Sequence, residues 1–266
     1  MVRSATFRLL FALGMAVLAL GIVAVPQAAA QHSGWLPLQL TGYNADVITD
    51  IDQDVRFAQL FDAGCCAWFE SGAVDDNGTE HDDGIPAGST FASMTGSGVN
   101  YMIQPAVFNN VLQVSNNTGA QGQGVPPTGT LTLLSPAAYS SIAIFASSGN
   151  SNGSATGTLT VNYDDGSSLS GTWNAFDWCG GSNALSVIPP NPVANLGVSG
   201  IGRVGNGLTA TGSSKFSYQF VCGPQGFEAY ETIIPTDNTK KVVSVTFAAP
   251  DSTTNRANVF GISAKP

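Results

Sequence analysis

A block of short alternating segments at residues 129–181 restricts this chain to an all-β fold. Leu131 and Leu133 alternate with Thr130 and Thr132, which is the period-2 pattern of a strand with one buried face. Stretches rich in Gly, Ser, Asn and Asp separate this strand from three others in the block. Four strands with turn signals between them indicate an antiparallel sheet.

The second half of this block predicts a tight hairpin. Leu159 and Val161 precede Asp164-Asp165-Gly166, and an Asp-Gly pair suits the positive φ angles of a short turn. Trp173 on the returning strand is therefore expected in the core, against Leu159 and Val161. Residues 142–145 are apolar at successive positions, so we expect that strand to be buried on both faces.

The first thirty residues have the pattern of a secretory signal peptide. Arg3 and Arg8 precede an apolar run at residues 9–25, and Ala28-Ala29-Ala30 offers small residues for cleavage. The alternative is an uncleaved anchor, but the run is short for a membrane span. We expect a secreted or periplasmic protein without membrane insertion after cleavage, in which residues 31–266 form a single domain.

The mature chain is acidic. Without Arg3 and Arg8 it keeps seven Lys and Arg against eighteen Asp and Glu, a net charge of −11. Nucleic-acid binding needs a cationic surface, and adhesion to anionic lipid has the same requirement. We therefore expect neither kind of partner.

Four cysteines in an exported chain predict disulfide bonds. A bond between the adjacent Cys65 and Cys66 would strain the peptide that joins them. We favour pairing of these two residues with Cys179 and Cys222, and a bond between Cys179 and Cys222 alone is the alternative. Zinc-ligand spacing is absent, and the mature chain has only two histidines to serve a catalytic thiol.

An acidic loop is the candidate metal site. Oxygen ligands at short spacing in a loop with glycine can hold Ca²⁺. The spacing differs from that of an EF-hand, so a solvated acidic loop is the favoured interpretation, with calcium as the possible cofactor. The candidate ligands are Asp75, Asp76, Asn77, Glu80, Asp82 and Asp83.

Aromatic residues beside polar ones are the candidate ligand-binding residues, because indole rings stack on sugars while neighbouring groups bond to hydroxyls. Asp177 and Trp178 follow a strand and precede Gly180-Gly181, a position where loops carry function. The alternative is a structural corner, in which Trp178 is packed and Asp177 caps backbone amides. The predicted ligand-binding set is Trp178, Asp177, Trp68 and Tyr43.

Paired carboxylates are the candidates for catalysis, since such a pair can hydrolyse a glycosidic bond. No motif pairs the possible residues, and a serine-hydrolase motif is absent. Glutamates that alternate with aromatic residues at 227–231 are typical of exposed positions on a half-buried strand. We predict no catalytic residue, although an enzyme is not excluded. The glutamates considered are Glu70, Glu80, Glu228 and Glu231.

Several segments resemble the galactose-binding-like jelly-roll domains of secreted bacterial proteins. They include residues 40–48, 101–114, 131–148, 230–235 and 258–262. The resemblance implies a single antiparallel β-sandwich and, by analogy of fold alone, glycan binding. The cysteines depart from this pattern, and residues from about 180 to 215 have the composition of a long loop insertion.

Three functions are compatible with these features. The favoured one is a non-catalytic module that binds an extracellular glycan or cell-surface polymer. The alternatives are a hydrolase or lyase that acts on extracellular polysaccharide, and a structural envelope or matrix protein without a small ligand.

Overall fold

The described part of the molecule contains β-strands and no helix. A computed structural model describes residues 34–50, 61, 66–75, 77–119, 122–149, 156–179, 196–205, 217–220, 222, 226–250 and 256–266. The expected all-β class is confirmed. Within these ranges no helix is present that has the length and apolar character to cross a membrane. The predicted signal peptide lies outside the described residues.

The strands are numbered in chain order. They are β1 (Leu36–Pro37), β2 (Leu40–Thr41), β3 (Ile48–Thr49), β4 (Trp68–Phe69), β5 (Ala73–Val74), β6 (Glu80–His81), β7 (Thr90–Ala92), β8 (Asn100–Met102), β9 (Leu112–Val114), β10 (Thr128–Ala138), β11 (Ser141–Gly149), β12 (Thr156–Tyr163), β13 (Ser168–Asn174), β14 (Leu196–Ile201), β15 (Arg203–Gly205), β16 (Ser217–Gln219), β17 (Phe227–Pro235), β18 (Lys241–Ala248) and β19 (Arg256–Lys265).

Two larger antiparallel sheets form the sandwich. The six-stranded sheet has the order β1-β19-β11-β17-β14, with β9 also paired to β19, and the five-stranded sheet has the order β13-β12-β18-β10-β2. Four two-stranded pairs, β3–β4, β5–β6, β7–β8 and β15–β16, complete the described strands. Most neighbours in the larger sheets are distant in sequence, so the chain crosses repeatedly between the sheets.

The first core lies between the two larger sheets. Leu131 and Leu159 from the five-stranded sheet pack in one cluster with Ile144 and Ile262 from the six-stranded sheet. Trp173 is fully buried in this cluster, and its Nε1 donates a hydrogen bond to the Ala248 carbonyl oxygen at 3.1 Å. The expected core position of Trp173 is confirmed.

The predicted hairpin joins β12 and β13. Leu159 pairs with Gly171, Val161 pairs with Leu169, and Gly166 adopts a φ of +80° in the turn. Gly157 lies opposite Trp173, and a Cβ at this position would collide with the indole ring. The glycine therefore makes room for the largest side chain of the first core.

A second core covers the other face of the six-stranded sheet. Phe145 of β11 and Phe260 of β19 pack there against Trp68 and Tyr101, which the short strands contribute. The strand β11 is thus buried on both faces, as its sequence predicted. The layer of short strands that covers this face was not predicted, because its members lie in short and irregular segments.

The expectation that residues from about 180 to 215 form a long loop is wrong, because β14 and β15 lie in this range. The strand β14 joins the edge of the six-stranded sheet through β17, and β15 pairs with β16. Ile201 and Val204 are buried. The Gly and Pro content around these short apolar stretches obscured their strand character.

The favoured disulfide pairing is wrong, and the Cys179–Cys222 bond of the alternative is present, although it is not the only cystine of the chain. Cys179 and Cys222 are bonded to each other, with their Cα atoms 5.1 Å apart. The Glu228 amide donates to the Trp178 carbonyl oxygen at 2.8 Å, which places Cys179 beside the start of β17, where Cys222 lies. Cys66 is also disulfide-bonded, whereas Cys65 lies outside the described residues.

Candidate functional site

The outer face of the five-stranded sheet is the candidate functional site. Because strand residues alternate between faces, the positions between the core residues of β10, β12, β13 and β18 point away from the first core. Nearly all of them carry a hydroxyl or an amide, and we call this set the hydroxyl face. It consists of Thr41, Thr128, Thr130, Thr132, Thr156, Thr158, Thr160, Asn162, Ser168, Ser170, Thr172, Asn174, Ser244 and Thr246.

Strand register aligns these side chains in rows across the sheet. The first row runs over four adjacent strands: Thr130 pairs with Thr246, Thr246 with Thr160, and Thr160 with Ser170. A second row runs over all five strands. Its members, in order, are Thr41, Thr132, Ser244, Asn162 and Ser168.

The rows are tied together by short side-chain contacts. Thr130 Oγ1 lies 2.9 Å from Thr246 Oγ1. Asn162 Nδ2 donates to Ser244 Oγ at 3.0 Å and to Thr246 Oγ1 at 3.3 Å. These contacts orient the polar groups while leaving each hydroxyl able to form further bonds, because a hydroxyl has one donor and two acceptor sites.

The hydroxyl face carries no charge. On the described strands of this sheet the one charged residue is Lys241, at the start of β18, next to the turn residues Lys240 and Asp165, whose Nζ and Oδ2 atoms are 3.0 Å apart. The apolar residues of these strands that lie outside the first core include Leu134, Ala138, Val243 and Ala248. A neutral array of donors and acceptors suits a neutral polyhydroxylated ligand.

The first core makes this surface rigid. Four fully buried side chains project from the same strands into the first core: Leu131, Val161, Val245 and Phe247. Their packing fixes the backbone from which the hydroxyl groups project. A surface built on central strands in this way is held more precisely than one built on loops.

The predicted ligand-binding pair at the end of β13 is a structural corner instead. The Trp178 ring is only 2% exposed, and it stacks on Phe61 with a centroid distance of 4.1 Å and packs on Phe227 at 4.6 Å. Asp177 is buried, and its Oδ1 accepts a hydrogen bond from the Cys179 amide at 2.8 Å. The alternative interpretation from the sequence is the one observed.

Trp68 and Tyr43 also fail to present a ring for stacking. Trp68 is fully buried, and its ring centroid is 4.6 Å from that of Phe260. Tyr43 is half-buried and packs against the first core, and its hydroxyl donates to the Phe260 carbonyl oxygen at 3.3 Å. The expected aromatic platform is therefore corrected: the second core takes up both tryptophans, and sequence alone did not reveal that core.

Within the acidic loop, the Asp75 carboxylate is bound by groups of the same loop. Asp75 Oδ1 accepts from the amides of Asn77 at 2.8 Å and Thr79 at 2.9 Å, and Asp75 Oδ2 lies 3.1 Å from His81 Nε2. The Thr79 amide and the His81 ring hold the pKa of the Asp75 carboxyl below its ordinary value. These bonds close the turn between β5 and β6.

The other acidic residues of this loop point elsewhere. Asp83 Oδ2 accepts from the Tyr218 hydroxyl at 2.5 Å, while Glu80 and Asp82 are exposed. Asp76 lies outside the described residues. Among the residues that are described, no three His, Cys, Asp or Glu side chains converge to hold a metal ion.

Glu228 and Glu231 are buried, which contradicts the exposure expected for them. They are 3% and 6% exposed, because β17 lies between β11 and β14 and its first five residues are all buried. Residues three apart on a strand point to opposite faces, so these two carboxylates do not form a catalytic pair. The Tyr230 hydroxyl donates to Glu228, and the Tyr101 hydroxyl donates to Glu231 at 3.0 Å.

Glu228 should make stability depend on pH. Burial raises the pKa of its carboxyl, and the hydrogen bond from Tyr230 opposes this shift only in part. A raised pKa means that the folded state binds the proton more tightly than the unfolded chain. The contribution of Glu228 is therefore fully present below its unfolded pKa of about 4.3, and it is lost as pH rises through the folded pKa.

The variant Glu228→Gln removes this titration and keeps an acceptor for Tyr230. We expect its free energy of unfolding to match that of the wild type near pH 4 and to exceed it once the pH rises through the folded pKa of Glu228. Urea unfolding at a series of pH values measures the difference. A difference that stays constant across this range would contradict the assignment.

Comparison with known proteins gives no family assignment. No protein-family model matches the sequence, and no curated protein matches it at a significant level. The likeness to galactose-binding-like domains stays a prediction, and the function rests on the geometry of the hydroxyl face.

Proposed function

We propose that this protein is a secreted, non-catalytic module that binds a neutral extracellular glycan through the hydroxyl face. The observation that carries the proposal is the alignment of uncharged hydroxyl groups in rows across adjacent strands. Each hydroxyl both donates and accepts, so a row matches the mixed donors and acceptors along a sugar chain. Recognition rests on hydrogen bonds, because Trp68 and Trp178 are buried and the hydroxyl face carries no aromatic side chain.

The absence of charge on the hydroxyl face favours neutral sugars over anionic ones. The protein is also acidic, with a net charge of −9 for the whole sequence. A uronic-acid or sulfated polymer would meet repulsion from such a protein and find no cation on this surface. Binding through neutral groups is expected to change little with ionic strength, since salt screens charge–charge interactions.

The test is affinity electrophoresis in gels that contain cellulose derivatives, glucomannan, xylan, dextran or alginate. We expect the wild type to be retarded by a neutral polysaccharide at both low and high salt. Thr246→Val should weaken retardation by about 2- to 10-fold, the effect of one neutral hydrogen bond. Valine keeps the size and the strand preference of threonine, so the sheet should stay intact.

The matched control is Thr90→Val, which changes an exposed threonine on β7, outside the five-stranded sheet. Its retardation should equal that of the wild type. Retardation by alginate alone, or a loss that Thr90→Val shares, would contradict the proposal. Absence of retardation by every polysaccharide would leave the structural envelope or matrix protein as the better account.

A further inference from the structure

We infer that the hydroxyl face takes one extended glycan chain, which lies across the strands, and not the surface of a crystalline polymer. This inference rests on the proposed function and specifies its ligand class. It follows from the spacing of the rows, the twist of the sheet and the absence of aromatic rings on this surface.

The spacing of the hydroxyls differs in the two directions of the sheet. Neighbouring strands lie about 4.8 Å apart, whereas outward side chains along one strand repeat at about 6.8 Å. Thr130, Thr246 and Thr160 therefore offer a hydroxyl at each strand separation. In an extended, diequatorially linked pyranose chain the hydroxyls repeat with each sugar residue, at a spacing close to the strand separation. Such a chain fits a row and does not fit the repeat along a strand.

Sheet twist prevents the rows from forming a flat lattice. Adjacent strands rotate by roughly 20–25° relative to one another, so the five strands of this sheet accumulate roughly 80–100° from edge to edge. Register shifts after Thr132 in β10 and after Asn162 in β12 add further irregularity. A single chain can follow this twist through its glycosidic torsions, whereas the flat face of a crystal would touch only a few of the hydroxyls.

The hydroxyl face contains no aromatic side chain, so each sugar residue is held by hydrogen bonds alone. Neutral hydrogen bonds are individually weak in water, and binding then needs several of them at once. A chain along the first row meets one hydroxyl on each of four strands, from Thr130 to Ser170. Affinity should therefore rise with each added sugar up to about four residues and level off beyond that length.

The first experiment compares two forms of the same polymer. Swollen, amorphous cellulose, chitin and mannan are each offered beside their crystalline forms, with dextran and amylose as coiled α-linked polymers. We expect binding to at least one swollen β-linked polymer to exceed binding to its crystalline form by about 10-fold, at equal accessible surface. Oligosaccharides of that polymer should compete, with a length dependence that levels off at about four residues, one for each strand of the first row.

The second experiment compares two triple variants of equal composition. Thr130, Thr160 and Thr246 belong to one row across three strands, whereas Thr128, Thr130 and Thr132 lie along β10. Valine at the three row positions should weaken binding by about 100-fold, and valine at the three β10 positions by about 5-fold, since a chain across the strands meets only one of these at a time. Equal urea midpoints of both variants and the wild type show that the fold is kept.

The outcomes separate this inference from the proposed function. Equal or stronger binding to a crystalline form, preference for dextran or amylose, or a larger loss along β10 than along the row would overturn the inference and leave glycan binding in place. Failure to bind any of these polymers would overturn both.

Discussion

Replacement of Trp178 by alanine is expected to lower the free energy of unfolding by about 3–5 kcal/mol. The ring is 2% exposed and stacks on Phe61 at 4.1 Å. The Arg203 guanidinium lies over the same ring, with its Cζ 5.4 Å from the centroid. Removing the indole leaves a cavity among these groups, and urea unfolding at neutral pH measures the cost.

Phe108→Ala provides the control for this variant. Phe108 is 64% exposed, so its truncation should change the free energy of unfolding by no more than about 0.5 kcal/mol. If Trp178→Ala behaves like Phe108→Ala in urea and yet loses glycan binding, Trp178 contacts ligand and the corner assignment is wrong.

Replacement of Glu231 by alanine is expected to cost about 2–4 kcal/mol of stability. Its carboxylate accepts from the Tyr101 hydroxyl at 3.0 Å and from Thr95 Oγ1 at 2.9 Å. Burial and the neighbouring carboxylate raise the pKa of Tyr101 well above its ordinary value, so the tyrosine stays protonated as the donor. Truncation leaves both hydroxyls without this acceptor, and that of Tyr101 lies in the second core.

The conservative variant Glu231→Gln keeps the size of the side chain and one acceptor oxygen. Its loss should be at most about half of the loss in Glu231→Ala, because one of the two hydrogen bonds survives. The hydrolase alternative would instead be favoured if the wild type cleaves a polysaccharide and both variants keep full stability but lose this cleavage. Unfolding curves and a reducing-end assay distinguish these results.

Local sequence patterns predicted the parts of the fold that depend on neighbouring residues. The alternation around Leu131 and the Asp-Gly turn at Gly166 identified β10 and the hairpin of β12 and β13. The same patterns placed Trp173 in the first core. Period-2 alternation works here because each of these strands has one face in the core and one in solvent.

The second core was beyond such reasoning because its members come from segments far apart in the chain. Phe61, Trp68 and Trp178 meet on the far side of the six-stranded sheet, and nothing in their local sequence distinguishes a buried indole from an exposed one. The disulfide between Cys179 and Cys222 depends on the same packing. The hydrogen bond from the Glu228 amide to the Trp178 carbonyl oxygen brings the segment that contains Cys179 next to the one that contains Cys222.

The hydroxyl face did leave a signal in the sequence. The pentapeptide Thr-Gly-Thr-Leu-Thr occurs at residues 128–132 and again at 156–160, at the starts of β10 and β12. On their own, alternating threonines indicate only the solvent side of a strand. That β18 lies between these strands and aligns their threonines in rows depends on strand order and register, which short sequence patterns do not determine.

The most direct test of glycan binding by this surface is a titration observed at threonine methyl groups. The protein is labelled with ¹³C at threonine methyls, and the glycan that retards it in gels is added stepwise. We predict progressive shifts at Thr130, Thr160 and Thr246, with none at Thr90. Shifts confined to threonines outside the hydroxyl face would contradict the account.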